Sequence, residues 1–309
     1  MTRVVCIGEC MVELRALGAD TFGRSYAGDA FNTAVYLKRC VSGARVQFLT
    51  ATGSGSLNQS MRAAWRAHGI DEELAFVAGD GPPGLYLIET DAHGERTFQY
   101  WRSHSCARQW LTQLHRRGES LLWNADIVYL SGISLAILTE DDQVRVVELL
   151  ERLKGHVGHI AFDPNIRASL WPSRDAAATM LTAVMARCDI VLPSTEDMGW
   201  LLGISDPEAQ LDSLQAQGIR EIAMTLGAGG CLVANGGGRT HVPSPLVARV
   251  VDTSGAGDSF NGEYLGRRLG GSTPVEAARA ALRIAARVVS QAGAIIPAAV
   301  TDLPLQDIE

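Results

Sequence analysis

Short β-branched runs alternate with longer segments of helical spacing, and this alternation limits the possible folds more than any other feature. The runs are typical of buried strands, and the segments between them repeat apolar residues every three or four positions. The predicted strands cover residues 4–8, 46–50, 127–131, 159–163, 189–192 and 221–225, and the predicted helices cover 57–68, 142–154, 173–187 and 208–217. Strands separated by helices form a mostly parallel sheet with helices on both faces. We therefore predict a three-layer α/β/α sandwich.

One stretch departs from this alternation. Residues 85–90 and 95–101 have strand character, and the Gly-containing segment 91–94 between them predicts a β-hairpin. A hairpin has no place in a simple β-α-β succession, so we predict a small antiparallel β lid, to which residues 15–27 add further strands. The predicted organisation is a single domain over residues 1–309, with lid segments at about 13–30 and 84–103.

Composition excludes several classes of protein. The chain has 309 residues, of which 47% are hydrophobic and 20% charged, as in a folded globular protein. Its net charge is −7 without a basic block, which argues against nucleic-acid or anionic-membrane partners. No uncharged apolar run reaches the ~18 residues of a membrane span. The N-terminus enters a strand directly, and the six scattered cysteines form no C-x-x-C, so we expect a cytoplasmic protein with free thiols.

The motif richest in chemistry is D-T-S-G-A-G-D-S-F at residues 252–260, between a β-branched run and a helical pattern that begins at Asp258. Two glycines separated by one residue allow a sharp turn and a close approach to a ligand. The amides of Gly255, Ala256 and Gly257 would point forward from a helix N-terminus, where unpaired donors and the helix dipole attract anions. The motif therefore predicts a phosphate site.

Asp258 would lie in the first turn of that helix, beside the phosphate site. An ionised carboxylate there can accept a hydroxyl proton as a phosphoryl group arrives. The alternative is that Asp258 only caps a helix and that the glycines only form a turn. The length of the run favours the catalytic interpretation, with Asp258 as the base.

These motifs resemble the signatures of a known family. The run at 252–260 is similar to the second signature of the ribokinase-like (PfkB) carbohydrate kinases, and A-G-D-A-F-N-T-A at 27–34 is similar to the first. The resemblance covers essentially the whole chain. It implies a ribokinase-like fold with a β lid over the sugar site, ATP and Mg²⁺ as cofactors, Asp258 as the base and the amides of residues 255–257 as the anion hole.

The resemblance also implies a nucleotide half. T-L-G-A-G-G-C at 225–231 is similar to the family's loop beside the ATP, which implies contacts from Thr225, Gly227 and Gly230; relatives often carry Lys where Thr225 stands. S-T-E-D at 194–197 falls where the family has Asn-x-x-Glu, which implies Ser194 at the nucleotide and Asp197 at Mg²⁺ through water. A helix N-cap followed by acids explains this segment nearly as well. Many members bind a monovalent cation such as K⁺ at the positions of Asp252 and Thr253.

Two arginines point to an acidic substrate. Period-two alternation places Tyr100 and Arg102 on the same face of a lid strand, with Trp101 opposite. Arg167 follows a parallel strand, at the sheet edge where ligands of open α/β sheets bind. Tyr86, on the other hairpin strand, could add a hydroxyl donor. Each residue alone could be an ordinary surface or core residue; together they suit a carboxylate, because arginine binds it in planar geometry.

Six segments resemble one subgroup, the 2-keto-3-deoxygluconate kinases. They are G-E-C-M-V-E-L at 8–14, G-L-Y at 84–86, G-E-R-T-F at 94–98, Y-W-R at 100–102, L-S-G-I-S at 130–134 and D-P-N-I-R at 163–167, where relatives usually have Tyr in place of Ile166. The resemblance implies transfer of phosphate to the 6-hydroxyl of the sugar acid, giving 2-keto-3-deoxy-6-phosphogluconate. The implied substrate contacts are Gly28, Asp29, Asn32, Tyr86, Tyr100, Arg102, Ile133, Arg167 and Asp258.

Other functions stay open at this point. The first alternative is a kinase of the same family for a neutral sugar such as fructose, and a second is a sugar-acid binding protein with weak catalysis. A dinucleotide-binding oxidoreductase fits less well, because Gly8 does not open a G-x-G-x-x-G motif. The sequence does not separate gluconate- from galactonate-derived acids. We also expect a homo-oligomer, a dimer through the lid or larger, since a lid sheet exposes edges that a partner can cover.

Overall fold

The computed structural model describes residues 1–18, 20–90 and 96–301. Its strands are β1 Arg3–Ile7, β2 Met11–Ala16, β3 Phe22–Ala27, β4 Arg45–Thr52, β5 Ala75–Val77, β6 Gly84–Thr90, β7 Arg96–Trp101, β8 Ile127–Ser131, β9 His159–Asp163, β10 Ile190–Val191, β11 Glu221–Thr225, β12 Cys231–Asn235 and β13 Gly238–Val242. Its α-helices are α1 Asp29–Cys40, α2 Ser56–Ala67, α3 Trp110–Arg117, α4 Gly132–Ala136, α5 Glu140–Leu153, α6 Arg174–Met185, α7 Thr195–Leu202, α8 Pro207–Ala216, α9 Ala256–Leu269, α10 Pro274–Val289 and α11 Ala298–Thr301.

The main sheet of the described chain runs in the order β13-β12-β11-β10-β9-β8-β1-β4-β5. The strands from β11 to β5 pair in parallel, and β12 and β13 add an antiparallel edge. Side chains of β1 alternate between two cores. Val4 and Cys6 pack with α1, α2, α9 and α10, whereas Val5 and Ile7 pack with α3 and α5 to α8. The predicted three-layer α/β/α sandwich is confirmed.

The six predicted strands and four predicted helices are all present. The bounds of β8, β9 and β11 match the prediction, whereas β10 is reduced to Ile190–Val191 and β4 extends to Thr52. The helix after the glycine motif begins at Ala256, two residues before the predicted start. The hairpin of β12 and β13 was not predicted, because its second strand, Gly238–Val242, is mostly exposed and lacks an apolar pattern.

A second sheet forms the predicted lid, in the order β3-β2-β6-β7. Its outer pairs, β2 with β3 and β6 with β7, are antiparallel, and the two pairs join through a parallel contact of β2 with β6. The first lid strand starts at Met11, earlier than the predicted 13, because only three residues separate it from β1. The predicted turn at 91–94 and Glu95 lie outside the described residues.

Two further features bear on the sequence-based expectations. No helix in the described part of the chain is both long and apolar enough to cross a membrane. The six cysteines are free thiols, and all except Cys40 are buried.

Candidate active site

A cleft of about 920 Å³ lies between the lid and the carboxyl ends of the parallel strands. The end of β11 and the segments that follow β8, β9 and β10 line it together with the first turns of α1 and α9, and β2, β6 and β7 of the lid form its wall. Parallel strands bring their carboxyl ends to one edge of the sheet, so residues far apart in sequence meet there.

Most of the predicted site residues line this cleft. They are Gly28, Asp29, Asn32, Tyr86, Tyr100, Arg102, Ile133, Arg167, Ser194, Asp197, Thr225, Gly255, Ala256, Gly257 and Asp258. Their contacts with ligands remain predictions.

Gly227 and Gly230 are not among the lining residues. Both lie in the turn after β11, and Gly230 has φ 102°. A Cβ atom at Gly230 would lie 2.1 Å from the carbonyl oxygen of Val242. The packing of this turn against β13 therefore explains Gly230 without a ligand, and a nucleotide contact from either glycine remains a prediction.

The predicted phosphate site is formed by the N-terminus of α9. Its N-cap, Gly255, has φ 73°, and a Cβ atom there would lie 2.6 Å from the carbonyl oxygen of Ala294. By contrast, a Cβ atom at Gly257 would meet no atom within 4 Å. Amides in a first helical turn have no partner within the helix. The turn is therefore tightly packed at Gly255 and open to the cleft at Gly257, as an anion site requires.

Asp258 is the third residue of α9, as predicted for a residue of the first turn. Its Oδ2 accepts a hydrogen bond of 2.8 Å from Nδ2 of Asn32. Burial and, to a smaller extent, the nearby carboxylate of Asp29 raise the pKa of Asp258 to about 7, although the Asn32 hydrogen bond and the charge of Arg167 act in the opposite direction. A group that titrates near neutral pH suits general base catalysis.

A second buried carboxylate, Asp163, was not predicted as a site residue. Its Oδ1 accepts from the backbone N–H of Asn165 at 2.9 Å and its Oδ2 from Nδ2 of Asn261 at 2.7 Å. Burial, followed by the charges of Asp197 and Asp258, holds the pKa of Asp163 well above its usual range. The sequence signal for it was the D-P-N run directly after β9.

Asn165 was likewise not predicted. It has the positive φ of 31° that the turn after β9 requires, and its Nδ2 donates to Oδ2 of Asp29 at 2.8 Å. Each of the two acids beside the phosphate site is thus held by one asparagine amide, Asp29 by Asn165 and Asp258 by Asn32.

The lid wall is aromatic. The rings of Tyr86 and Tyr100 lie 5.7 Å apart, and Phe98 stacks on Tyr100 at 6.3 Å. The Tyr86 hydroxyl donates to the carboxylate of Glu13, which also accepts from Ser25 at 2.8 Å. The expectation that Tyr86 adds a hydroxyl donor to the substrate site needs correction, because the hydroxyl already donates to Glu13.

The two arginines of the predicted carboxylate site differ in their surroundings. Arg102 is buried, and its Nη2 lies 2.5 Å from Oε2 of Glu9. Arg167 is exposed, and its Nη1 donates to the carbonyl oxygen of Ile166 at 3.2 Å. Both line the cleft, but the charge of Arg102 already has a buried counter-ion.

The segment Ser194–Asp197 has the geometry of a helix cap. Oγ of Ser194 accepts from the backbone N–H of Asp197 at 2.9 Å, and Oδ1 of Asp197 accepts from the N–H of Ile166 at 3.1 Å. Burial raises the pKa of Asp197. Glu196 and Trp200 of the same helix also line the cleft and were not predicted.

A parallel-sheet sandwich with a lid, and a buried carboxylate in the first turn of a helix that begins at the cleft, suit a kinase-like phosphotransferase. The chain belongs to the pfkB family of carbohydrate kinases, a family that uses ATP, because the family's sequence model matches residues 1–301. This confirms the family resemblance drawn from the two glycine-rich motifs.

Similar proteins of known name agree with this assignment. The chain is 38% identical to the 2-dehydro-3-deoxygluconokinase of Dickeya dadantii, over 95% of this chain and 96% of the relative. It is 37% identical to the enzyme of the same name from Escherichia coli K12, over 96% of this chain and 97% of that enzyme. A rice fructokinase-1 is more distant, at 29% identity over 85% of this chain and 82% of the fructokinase. The crystal structure of a PfkB protein from Polaromonas sp. JS666 superposes with a TM-score of 0.83 at 25% identity, covering 98% and 99% of the two chains.

Proposed function

We propose that the protein transfers the γ-phosphate of ATP to the 6-hydroxyl of 2-keto-3-deoxygluconate. The observation that carries the proposal is that one cleft is lined by Asp258, by the first turn of α9 and by two arginines, Arg102 and Arg167. Two enzymes named 2-dehydro-3-deoxygluconokinase match nearly the whole chain at 37–38% identity, and the rice fructokinase-1 match is weaker and shorter.

The reaction requires one proton acceptor and a site for the charge of the transferring group. The hydroxyl oxygen forms a bond to the γ-phosphorus while the bond from that phosphorus to the leaving oxygen of ADP breaks. Asp258 accepts the hydroxyl proton. The first-turn amides at Gly255, Ala256 and Gly257 stabilise the negative charge, since phosphoryl transfer depends mainly on positioning and electrostatics.

The sugar acid is held at its other end by cations. Arg167 reaches the cleft from the loop after β9 and Arg102 from the end of β7. Guanidinium groups bind carboxylates with two parallel hydrogen bonds, which orients the acid as well as attracting it. Tyr86 and Tyr100 cover the carbon chain from the lid. This arrangement directs the far hydroxyl of the substrate toward Asp258.

Mg²⁺ would be bound beside Glu196 and Asp197, the acids of α7 that line the cleft. In the described residues no group of three or more His, Cys, Asp or Glu side chains could hold a metal alone. The two carboxylates of Glu196 and Asp197 fit Mg²⁺, because this ion usually keeps several waters and is also bound by substrate phosphates. The ion would neutralise phosphate charge. A need for K⁺ near Asp252 and Thr253 remains a prediction, as do the homo-oligomer and the cytoplasmic location.

ADP release with parallel acceptors tests the proposal. Purified protein with ATP and Mg²⁺ is given 2-keto-3-deoxygluconate, its galactonate-derived epimer, fructose, ribose or gluconate. We expect turnover with the keto-deoxy sugar acid at a kcat/KM at least tenfold above that with fructose. A preference for fructose would show that the protein is a kinase for a neutral sugar. Failure with every acceptor would favour a sugar-acid binding protein with weak catalysis. The departures from the family pattern at Ser194, Asp197 and Thr225 are the reason to consider that alternative.

A further inference from the structure

Asn32 connects the two helices that meet at the phosphate site. It belongs to α1 and is buried, with 4% of its surface exposed. Its Oδ1 accepts from the backbone N–H of Gly28 at 3.3 Å, and its Nδ2 donates to Oδ2 of Asp258 at 2.8 Å. A backbone N–H can only donate and a carboxylate can only accept, so one orientation of the amide satisfies both neighbours. The amide is therefore fixed by its surroundings.

The distance between the two helices is also fixed. A Cβ atom on Gly262 of α9 would lie 2.6 Å from the carbonyl oxygen of Thr33, and one on Gly266 would lie 2.7 Å from Cβ of Cys40. Two glycines one turn apart thus allow the backbones of α1 and α9 to approach closely, and packing of this kind resists adjustment. Asn32 and Asp258 are held at hydrogen-bonding distance by the fold itself.

The hydrogen bond makes the two oxygens of Asp258 different. Oδ2 is occupied by the Asn32 amide, and among the described residues Asn32 is the one side chain that donates to this carboxylate. We propose that Asn32 is a positioning residue for the catalytic base: it holds Oδ2 of Asp258 and leaves Oδ1 to accept the substrate's hydroxyl proton. The inference rests on the proposed kinase function.

The same bond affects the ionisation of the base. A donor to the charged form of a carboxylate lowers its pKa, and the Asn32 amide acts in this direction on Asp258. The other titratable or charged groups that face Asp258 are Asp29 and Tyr36 of α1, Tyr129 of β8, Asp163 of β9 and Arg167 of the loop after β9. None of these is removed by a change at Asn32, so their influence is common to all variants compared.

The test is the pH dependence of kcat/KM from pH 5.5 to 9.5 for the wild type, Asn32→Ala and Asn32→Asp. The base works only when ionised, so loss of the donor moves the acidic limb to higher pH. We expect Asn32→Ala to move it by about one pH unit, the scale of a hydrogen bond to a charged group, so that kcat/KM falls about tenfold more at pH 6 than at pH 9. Asn32→Asp adds a like charge and should move the limb further in the same direction.

Asn58→Ala is the matched control. Asn58 is as buried as Asn32. Its side-chain oxygen accepts from the N–H of Gly53, and its Nδ2 donates to the carbonyl oxygen of Gly81. It is not among the residues lining the cleft. Its loss should lower stability without moving the acidic limb. A limb that stays in place in both Asn32 variants would overturn the inference, whatever the loss of rate.

A direct titration separates this inference from the choice of substrate. The carboxyl carbon of Asp258 can be followed by ¹³C NMR with labelled aspartate, and its signal is assigned by its absence in Asp258→Asn. We expect the midpoint of its titration to rise in Asn32→Ala. The titration can be measured even if no acceptor is phosphorylated, a result that would contradict the proposed function but not this inference. An unchanged midpoint would contradict this inference but not the proposed function.

Discussion

Arg102, which follows lid strand β7, and Glu9, in the segment between β1 and β2, form a buried ion pair, with Nη2 and Oε2 2.5 Å apart and side-chain exposures of 10% and 1%. The other oxygen of Glu9 accepts from Ser105 at 2.5 Å. The pair joins the residue after β7 to the segment after β1, two of the connections between the lid and the rest of the fold. Since the charge of Arg102 is balanced within the protein, its removal affects more than the substrate site.

We predict that Arg102→Met destabilises the protein in addition to weakening sugar-acid binding. The change leaves the Glu9 carboxylate buried without a counter-ion, and breaking such a pair costs about 3–5 kcal/mol. In the double variant Glu9→Gln/Arg102→Met most of that stability should return, because the uncompensated charge is gone. Urea unfolding of the three proteins measures the stability, and KM for the sugar acid should stay high in both variants. Equal stability of the single and double variants would contradict a structural role for the pair.

Arg167 should report carboxylate binding with less effect on stability, because it is exposed. We predict that Arg167→Gln raises KM for the sugar acid about 10- to 100-fold, from the ~1.5–3 kcal/mol of a charged hydrogen bond. The loss of its charge also removes an influence that lowers the pKa of Asp258, so the acidic limb of kcat/KM should move to higher pH. Arg145→Gln, at another exposed arginine outside the cleft, is the control. A rise in KM for ATP instead would place Arg167 at the nucleotide.

Asp258→Asn removes the proton acceptor and retains the shape of the side chain. We predict that kcat falls about 10²- to 10⁴-fold, the usual scale for a lost general base. Because the first-turn amides of α9 are unchanged, binding of an ATP analogue should remain close to that of the wild type, as calorimetry can show. An unaltered kcat would exclude Asp258 as the base, whatever the accepted sugar.

Local sequence patterns were sufficient for the layers of the fold and for the helix N-terminus that forms the predicted phosphate site. The strands that end at Ser131, Asp163 and Thr225 have at least four buried residues of five, so their largely apolar composition predicted them directly. The anion site also depends on adjacent residues, since Gly255 and Asp258 lie within one turn. Such features need no knowledge of distant contacts.

The partners within the cleft could not be predicted in this way. Asn32 and Asp258 are 226 positions apart, and Glu9 and Arg102 are 93 apart. Their contacts depend on the close packing of α1 on α9 and on the register of the lid strands, which no local pattern contains. For the same reason Tyr86 was expected to add a hydroxyl donor to the substrate site, although its hydroxyl donates a hydrogen bond to Glu13 on the neighbouring strand.

The two glycines of the phosphate site allow a matched test of packing against ligand binding. Gly255 has φ 73°, and a Cβ atom there would clash with the backbone of Ala294, so Gly255→Ala should destabilise the protein by more than the ~1 kcal/mol typical of an ordinary substitution. A Cβ atom at Gly257 would meet no atom within 4 Å, so Gly257→Ala should be at least as stable to urea as the wild type, since alanine is the better helix former. That methyl group would instead project into the space that a phosphate needs. We predict that Gly257→Ala lowers kcat/KM for ATP at least tenfold while the midpoint of urea unfolding does not fall. Normal kinetics in a stable Gly257→Ala protein would show that the phosphate binds elsewhere along the cleft.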